Sequence, residues 1–191
     1  MPCAFSTAGA AQIRQNGPEF RRFCQSKGLA REGPGGKVPT MTSDNWIALS
    51  PQALEVNRAV QFVTTAEAGA VAVFLGTTRA ETNAAGQPLV ALEYEAYAEM
   101  ATQQLHDLAR RARGRGPALK LALLHRIGRV AVGEPSVVIA VSTPHRGDAF
   151  ALCQWLIDAL KAEAAIWKRE IWADGSRSWV TPRDFRDTLP K

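Results

Sequence analysis

The sequence predicts a single α+β domain with mixed strand pairing. Its 191 residues suit one domain of ordinary size, and a hydrophobic content of 46% is enough for a packed core. The predicted elements follow the order α-β-β-α-β-β-β-α-β, which lacks the strict alternation of a doubly wound parallel sheet. Neither G-x-G-x-x-G nor G-x-x-x-x-G-K-[ST] occurs in the chain, so the sequence does not support a dinucleotide or P-loop site.

Residues 1–40 differ in composition from the rest of the chain. They are rich in Gly, Ala, Ser, Arg and Pro and have no sustained apolar period, which predicts a disordered arm. Their basic bias is compatible with an organelle-targeting segment. We favour the alternative that Met41 is the true start and that the arm is overextended or dispensable. The predicted domain therefore covers residues 41–191.

Two elements are predicted before the first long polar loop. Ser50 followed by Pro51 is a favourable helix entry, because a serine cap precedes a proline at the first helical position. This predicts a helix from Pro51 to about Val63. Residues Gly69–Gly76 are apolar throughout, which predicts a strand buried on both faces. The strand leads to Arg79 and then to a loop that contains Gly and Pro.

The middle of the chain alternates between strand and helix patterns. Residues Val90–Tyr97 place apolar and acidic side chains on alternate positions, which predicts a half-exposed strand. A helix over Glu99–Arg113 follows, and its basic last turn suits the negative end of the helix dipole. Two further strands are predicted around Gly128, at Lys120–Ile127 and Arg129–Val132.

The most informative stretch begins with the apolar strand Ser136–Ser142. The strand runs into a polar turn at His145 and Arg146 and then into a long amphipathic helix. Steps of three and four residues predict one apolar face on this helix, made of Phe150, Cys153, Ile157 and Leu160. A last hairpin is predicted over Ile171–Val180.

The same stretch predicts an anion site. Lys161 and Lys168 are seven residues apart, so on a continuous helix they would project within about 20° of each other. Together with His145 and Arg146 they are four cationic or potentially cationic groups that could converge on one place. The alternative interpretation is a pair of solvated lysines near a helix end and a structural histidine.

Four segments in a fixed order carry a resemblance to a known family. They are the pattern strand-HR-helix-K-x6-K-x-E just described, GAVAVFLGTTR at Gly69–Arg79, LEYEAYAEMA at Leu92–Ala101 and HRIGRVAVGE at His125–Glu134. The chain resembles the catalytic large subunit family of molybdopterin synthase from about residue 43 to 183. The resemblance implies an α/β hammerhead-like domain with an accessory antiparallel β subdomain.

The resemblance also implies an activity, a partner and site residues. The family transfers sulfur from the C-terminal Gly-Gly thiocarboxylate of a small ubiquitin-like partner to cyclic pyranopterin monophosphate, with no metal or other cofactor required for that step. A homodimer flanked by two partner chains is expected. The resemblance makes Lys161 and Lys168 catalytic, and it assigns substrate binding to Phe74, Arg79, His145, Arg146 and Arg183.

One position departs from the family pattern. The family commonly has proline two residues before the tryptophan of IWK, whereas this chain has Ala165. Proline would end the helix just before the second lysine, and alanine leaves that break unspecified. The direction in which Lys168 points therefore stays open.

The net charge and the cysteine pattern indicate which classes of partner, site and compartment fit the sequence. The net charge of +5 indicates an anionic partner or substrate, but the Lys and Arg residues are spread along the chain rather than gathered in one basic run. A noncatalytic module that binds a phosphate ligand or nucleic acid remains the second hypothesis. Three cysteines without a C-x-x-C pair fit a reducing cytoplasm better than a disulfide framework or a zinc site. No apolar run approaches the roughly 18–20 residues of a membrane span.

Overall fold

The computed structural model describes residues 40–180, which form nine strands and three helices. In chain order the elements are β1 (Thr40–Met41), β2 (Asn45–Ser50), α1 (Val56–Val63), β3 (Ala70–Thr77), β4 (Leu89–Ala96), α2 (Ala98–Arg113), β5 (Leu121–Arg126), β6 (Gly128–Ala131), β7 (Pro135–Thr143), α3 (Arg146–Glu163), β8 (Ile166–Trp172) and β9 (Arg177–Trp179).

The strands form two sheets. The larger sheet has the order β1-β2-β5-β7-β3, in which β2 and β5 are parallel and the other neighbours are antiparallel. The smaller sheet has the order β6-β4-β8-β9 and is antiparallel throughout. The predicted α+β class, with mixed pairing and an accessory antiparallel subdomain, is confirmed.

Helices cover both faces of the larger sheet. On one face, α2 and α3 pack on the inward side chains of β5, β7 and β3 around fully buried residues such as Leu105, Ile139 and Leu156. On the other face, α1 covers β2, β5 and β7 through Ala59 and Val63. No helix of the described part of the chain is long and apolar enough to cross a membrane.

The prediction that the strand at Gly69–Gly76 is buried on both faces is wrong. Strand β3 lies at the edge of the larger sheet and pairs only with β7 among the described strands. The side chains of Ala72 and Phe74 face the helix layer, whereas Val71, Val73 and Leu75 on the opposite face are 37%, 42% and 42% exposed. The uniform apolarity of β3 thus reflects an uncovered apolar surface rather than double burial.

The helix predicted from Pro51 is also wrong at its start. Ser50 ends β2, where it pairs with Arg126 of β5, and α1 begins only at Val56. The Ser50 hydroxyl accepts a hydrogen bond from the backbone N–H of Gln52 at 3.1 Å, so it stabilises a turn instead of a helix terminus. Strands β1 and β2 were not predicted, because β2 pairs with β5, which is distant in the chain, and β1 pairs in turn with β2.

Helix α3 ends before Lys168, so the two lysines do not lie on one helical face. Helix α3 stops at Glu163, and Ala164 is extended, with its N–H bonded to the carbonyl of Leu160. The chain then enters β8, which pairs with β4, so Lys168 lies on a strand. The predicted hairpin across residues 174–176 is present, but its first strand starts at Ile166 rather than Ile171.

The apolar face of α3 is broader than predicted and shifted. Cys153, Ile157 and Leu160 are buried as expected, but Phe150 is 68% exposed. The helix packs against both the sheet and α2, so it also buries Ala149, Leu152, Leu156 and Ala159. Phe150 and Cys153 were predicted to lie on one apolar face, but only Cys153 is buried.

Candidate active site

Lys161 and Lys168 are brought together by a change from helix to strand. Lys161 lies in the last turn of α3, and the chain reverses through Ala164 and Ala165 into β8. The N–H of Ala165 donates a hydrogen bond to Oε1 of Gln104 on α2 at 2.7 Å, which fixes this reversal against the helix layer. The charge of Lys161 acts on Lys168, so the two lysines share one site although they share no helix.

The pKa of Lys168 is lowered from its ordinary value, and burial is the main cause. The carboxylates of Glu170 and Glu81 oppose this shift, whereas the positive charges of Lys161 and Arg79 add to it. A lysine with a lowered pKa is neutral more often near physiological pH, and only the neutral amine acts as a base or nucleophile. The site thus has an amine suited to either role.

Phe74 lies beside the first lysine. The Nζ atom of Lys161 is 6.0 Å from the centroid of the Phe74 ring, at the outer limit of a cation–π contact. Gly76 leaves room for this ring, because a Cβ atom at position 76 would lie 3.1 Å from Cε1 of Phe74 and 2.5 Å from Cγ1 of Val137. Phe74 and Lys161 therefore belong to one local arrangement at the end of β3.

Arg79 follows β3 and faces solvent. Its guanidinium donates two hydrogen bonds to Oε1 of Glu81, from Nε at 2.9 Å and from Nη2 at 2.6 Å. The side chain of Arg79 is 77% exposed, and its charge contributes to the lowered pKa of Lys168. Arg79 is thus a solvent-accessible cation at the edge of the lysine site.

His145 and Arg146 lie at the opposite end of α3. Arg146 is the first residue of the helix and Lys161 is fifteen positions further on, so a rise of 1.5 Å per residue separates them by about 22 Å. Both residues line an open pocket of about 500 Å³ together with Gly69, Pro144 and Gly147. The convergence of all four cationic groups within one chain, predicted from the sequence, is wrong.

Two predicted features fall outside the described residues. Arg183, which the resemblance assigns to substrate binding, lies beyond residue 180. The N-terminal arm lies before residue 40, apart from Thr40 itself, which is the first residue of β1. Both stay predictions.

Three residues of the site were not predicted from the sequence. Glu81 and Glu170 modulate the pKa of Lys168, and Tyr94 of β4 lies directly opposite Lys168 in the smaller sheet. Glu170 is two residues after Lys168, so the alternation of a strand would have put both on one face. Nothing local to Tyr94 or Glu81 indicates their proximity to Lys168, because strand pairing and a loop bring them there.

Two other reactive groups within residues 40–180, His125 and Cys153, have structural explanations. His125 is buried, its Nδ1 atom donates a hydrogen bond to the carbonyl of Arg126 at 2.8 Å, and burial lowers its pKa to about 4. The thiol of Cys153 is buried, and burial raises its pKa to about 11, as expected for an unreactive cysteine. Residues 40–180 contain no group of three or more His, Cys, Asp or Glu side chains placed to hold a metal ion.

Comparison with known proteins identifies the family. The sequence model of the MoaE protein family matches residues 49–163, which is more than half of the chain. The chain belongs to the MoaE family. A molybdopterin synthase catalytic subunit from Nostoc sp. is 46% identical over 114 residues, which is 59% of this chain and 68% of that relative. The resemblance stated from the sequence motifs is confirmed.

Solved structures agree with this MoaE membership. Molybdopterin synthase from Staphylococcus aureus has a TM-score of 0.66 and 32% identity, covering 74% of this chain and 98% of that chain. A chain of the protein–protein complex of subunits 1 and 2 of molybdopterin-converting factor from Helicobacter pylori has a TM-score of 0.59 and 22% identity, covering 70% and 89%. At that identity the second likeness establishes the fold alone.

The MoaE match covers only part of the candidate site. It includes Phe74, Arg79, His145, Arg146 and Lys161, but it ends before β8. Lys168 lies outside this match, and its place in the site is supported by the K-x6-K-x-E pattern and by the structure, in which the charge of Lys161 acts on it.

Proposed function

We propose that this MoaE family member is the catalytic subunit of a molybdopterin synthase. It transfers sulfur from the C-terminal thiocarboxylate of a small ubiquitin-like partner to cyclic pyranopterin monophosphate. The observation that carries the proposal is the pairing of Lys161 with a half-buried Lys168 whose pKa is lowered. The two sulfurs of the product dithiolene require two rounds of transfer.

The two lysines have different roles in this proposal. The neutral amine of Lys168 acts as a base or as a nucleophile at the reacting carbon, because burial disfavours its charged form. Lys161 lies in a more open position and attracts the anionic thiocarboxylate. Phe74 supports Lys161 from the side of β3 and contributes an apolar wall for the substrate.

Arg79 is proposed to bind the substrate phosphate. A guanidinium can donate two parallel hydrogen bonds to two phosphate oxygens, and its present partner Glu81 forms an exposed ion pair that a phosphate can replace. Arg183 is proposed as a second arginine for the same ligand on the basis of the family resemblance.

His145 and Arg146 are proposed to serve the active site of a second copy in a homodimer. Within one chain they are too far from Lys161 to touch the same small substrate. Among residues 40–180, strand β3 has no partner on its outer edge, and nothing covers its apolar face at Val71, Val73 and Leu75. If two β3 strands paired antiparallel about a two-fold axis, the Gly69 end of one copy would meet the Arg79 end of the other.

A complementation experiment tests the shared site. Two inactive variants, Lys168→Ala and Arg146→Ala, are coexpressed with different tags, and the doubly tagged heterodimer is purified. One of its two sites is intact, so about half of the wild-type activity is expected. The matched control combines Lys161→Ala with Lys168→Ala, which damages both sites and recovers nothing. No recovery in the first pair, or a monomer in solution, contradicts the shared site.

The partner's C-terminal tail is proposed to approach the lysines as an extended chain. Backbone hydrogen bonds and the attraction of the terminal anion position it, while an apolar contact elsewhere supplies most of the affinity. Removing the partner's final Gly-Gly should abolish sulfur transfer and weaken binding moderately in a calorimetric titration. Intact transfer with the truncated partner, or no binding of any ubiquitin-like protein, contradicts the synthase assignment. The cytoplasm is the proposed compartment.

The decisive assay combines the protein with thiocarboxylated partner and cyclic pyranopterin monophosphate and measures molybdopterin. The Lys161→Ala and Lys168→Ala proteins should stay folded and lose activity by at least about a hundredfold. Lys120→Ala is the control, because Lys120 lies over the Phe62 ring on another face of the domain. Arg and Met replacements of Lys168 separate the effect of charge from that of nucleophilicity.

Two outcomes of this assay favour the other hypothesis. Near-normal turnover by a folded Lys168→Ala protein removes the proposed mechanism. No molybdopterin from the wild-type protein, together with tight and salt-sensitive binding to RNA or DNA, indicates the noncatalytic binding module instead.

A further inference from the structure

Tyr94 and Lys168 are direct cross-strand partners in the smaller sheet. The register of β4 and β8 pairs these two residues, so their side chains leave the sheet on the same face. The Cβ atoms of such a pair are about 4.5–5.5 Å apart, close enough for a tyrosine ring to lie along the aliphatic stem of a lysine. Tyr94 is thus an immediate neighbour of the lysine with the lowered pKa.

The ring of Tyr94 is held from the side of the larger sheet. The imidazole of His125 packs edge to face on it, with a centroid distance of 5.0 Å and an interplanar angle of 73°. The Tyr94 hydroxyl is hydrogen-bonded to Ser136, whose own hydroxyl donates to the carbonyl of Gly76 at 3.2 Å. Residues of β5 and β7 therefore fix a side chain of β4 at the junction between the sheets.

We propose that Tyr94 is a positioning residue for Lys168, with its fixed ring forming a wall that orients the lysine stem and keeps water from the inner side of the amine. The inference rests on the proposed function, since the value of a positioned amine there is its role in sulfur transfer. Tyr94 belongs to the segment LEYEAY, and neither the lysine pair nor the predicted anion site includes it.

The causes of the lowered pKa of Lys168 indicate what the Tyr94 ring would do. Burial is the largest cause of the lowered pKa of Lys168, larger than any single charge nearby. Replacing the ring by a smaller side chain admits water and raises the pKa toward the ordinary lysine value. The charges that act on the pKa of Lys168 include those of Glu170 on β8, Lys161 on α3, and Arg79 and Glu81 after β3. Tyr94 of β4 lies opposite Lys168, and His125 of β5 packs on Tyr94.

The test measures the pKa of Lys168 directly and without any catalytic assay. The full chain is labelled with acetic anhydride over a range of pH values, and mass spectrometry gives the midpoint for each lysine. Tyr94→Phe keeps the ring and loses the bond to Ser136, so its Lys168 midpoint should stay near that of the wild type. Tyr94→Leu removes the wall, so its midpoint should rise by about one unit, a tenfold loss of reactivity near neutral pH.

Internal and matched controls separate this effect from general loosening. Lys120, which lies over the Phe62 ring on another face of the domain, should keep its midpoint in the Tyr94 variants. Phe62→Leu removes a half-buried ring of α1 that packs on Trp46, so it perturbs the domain without touching the smaller sheet. An unchanged Lys168 midpoint in folded Tyr94→Leu protein, or an equal rise in the Phe62→Leu protein, overturns the proposal. If Tyr94→Leu does not fold, Tyr94→Met provides the same test with nearly the original volume.

The synthase assay supplies a second readout. If Lys168 acts as the neutral amine, a higher pKa moves the acidic limb of the kcat/KM profile of Tyr94→Leu to higher pH, and raising the pH restores its rate. A uniform loss at all pH values contradicts the proposed exclusion of water from the Lys168 amine. If the wild-type protein makes no molybdopterin, the proposed function fails, while the labelling result still decides whether Tyr94 sets the environment of Lys168.

Discussion

Arg79 and Glu81 form a two-pronged contact in which Nε and Nη2 of the arginine both donate to Oε1 of the carboxylate, at 2.9 and 2.6 Å. The pair is exposed, with 77% and 42% of the two side chains accessible, so it contributes at most about 1 kcal/mol to stability. Glu81 therefore occupies Arg79 without holding it tightly, and it does so next to Lys168, whose pKa it raises.

Replacing Glu81 by glutamine should strengthen binding of an anionic substrate. Glu81→Gln removes the carboxylate that competes for Arg79, so KM for cyclic pyranopterin monophosphate should fall about threefold to tenfold. It also removes a charge that raises the pKa of Lys168, so the acidic limb of the rate profile should move to lower pH. Steady-state kinetics at saturating partner over pH 5–9 measure both effects.

The matched control for this prediction is Glu55→Gln. Glu55 accepts a hydrogen bond from Arg58 at 2.8 Å in another exposed pair, at the N-terminus of α1 and away from the lysine site. Its kinetics should equal those of the wild type. A higher KM in the Glu81→Gln protein contradicts the role assigned to Arg79.

Substituting Gly76 should disturb the site through Phe74. A Cβ atom at this position would lie 2.5 Å from Cγ1 of Val137 and 3.1 Å from Cε1 of Phe74, so the ring beside Lys161 must shift. We expect Gly76→Ala to lower kcat/KM by about tenfold and the melting temperature by a few degrees. Gly114→Ala is the control, since its nearest contact is an ordinary 3.5 Å. Unchanged kinetics in Gly76→Ala would show that the Phe74 ring position is unimportant.

Burial of His125 should make the stability of the domain depend on pH. Its pKa falls from 6.5 to about 4 on folding, so between these values the unfolded chain binds a proton that the native protein does not. The free energy of unfolding should therefore fall as pH drops through 6.5 and level off near 4, by up to about 3 kcal/mol in total. Urea unfolding at several pH values measures the slope.

The His125→Phe protein isolates this contribution. It keeps an aromatic ring against Tyr94 and carries no titrating group, so its pH dependence should be shallower than that of the wild type over the same range. Parallel curves for His125→Phe and the wild type would be the contrary result.

Removing the N-terminal arm should leave the domain intact. The sequence predicts that residues 1–40 bury no core, but Thr40 begins β1 and pairs with Ile47, so the cut is made before Thr40. The shortened protein should keep the melting temperature and the synthase activity of the full chain. A large drop in melting temperature would mean that the arm packs on the domain. The mass of the native protein shows where its chain starts.

Strand positions of the core could be predicted from the sequence because their signals are local. The alternation in β4 and the apolar run of β7 gave boundaries within one or two residues of those observed. Helix α2 was predicted to start one residue late and to end at the observed residue, Arg113. These elements match because their own side-chain pattern agrees with the surface on which each of them packs.

Predictions from the local sequence were wrong where pairing with a strand distant in the chain determines the secondary structure. Ser50 and Pro51 have the residue types of a helix start, yet the residues up to Ser50 pair in parallel with β5 and remain extended. The seven-residue spacing of Lys161 and Lys168 is compatible with a helix that continues through Lys168. Residues Ile166–Trp172 instead form β8, which pairs antiparallel with β4. Backbone hydrogen bonds to a partner strand outweigh propensity differences of a few tenths of a kcal/mol per residue.

The sequence by itself determined the family, the fold class and the identity of the two candidate lysines. The tertiary structure alone decided their geometry: Lys161 at a helix end, Lys168 on a strand opposite Tyr94, and His145 with Arg146 at the far end of α3. The physical reason is that residue type and spacing are properties of the chain. Burial, charge proximity and the resulting pKa of Lys168 depend on groups that strand pairing and loops bring together from four separate segments.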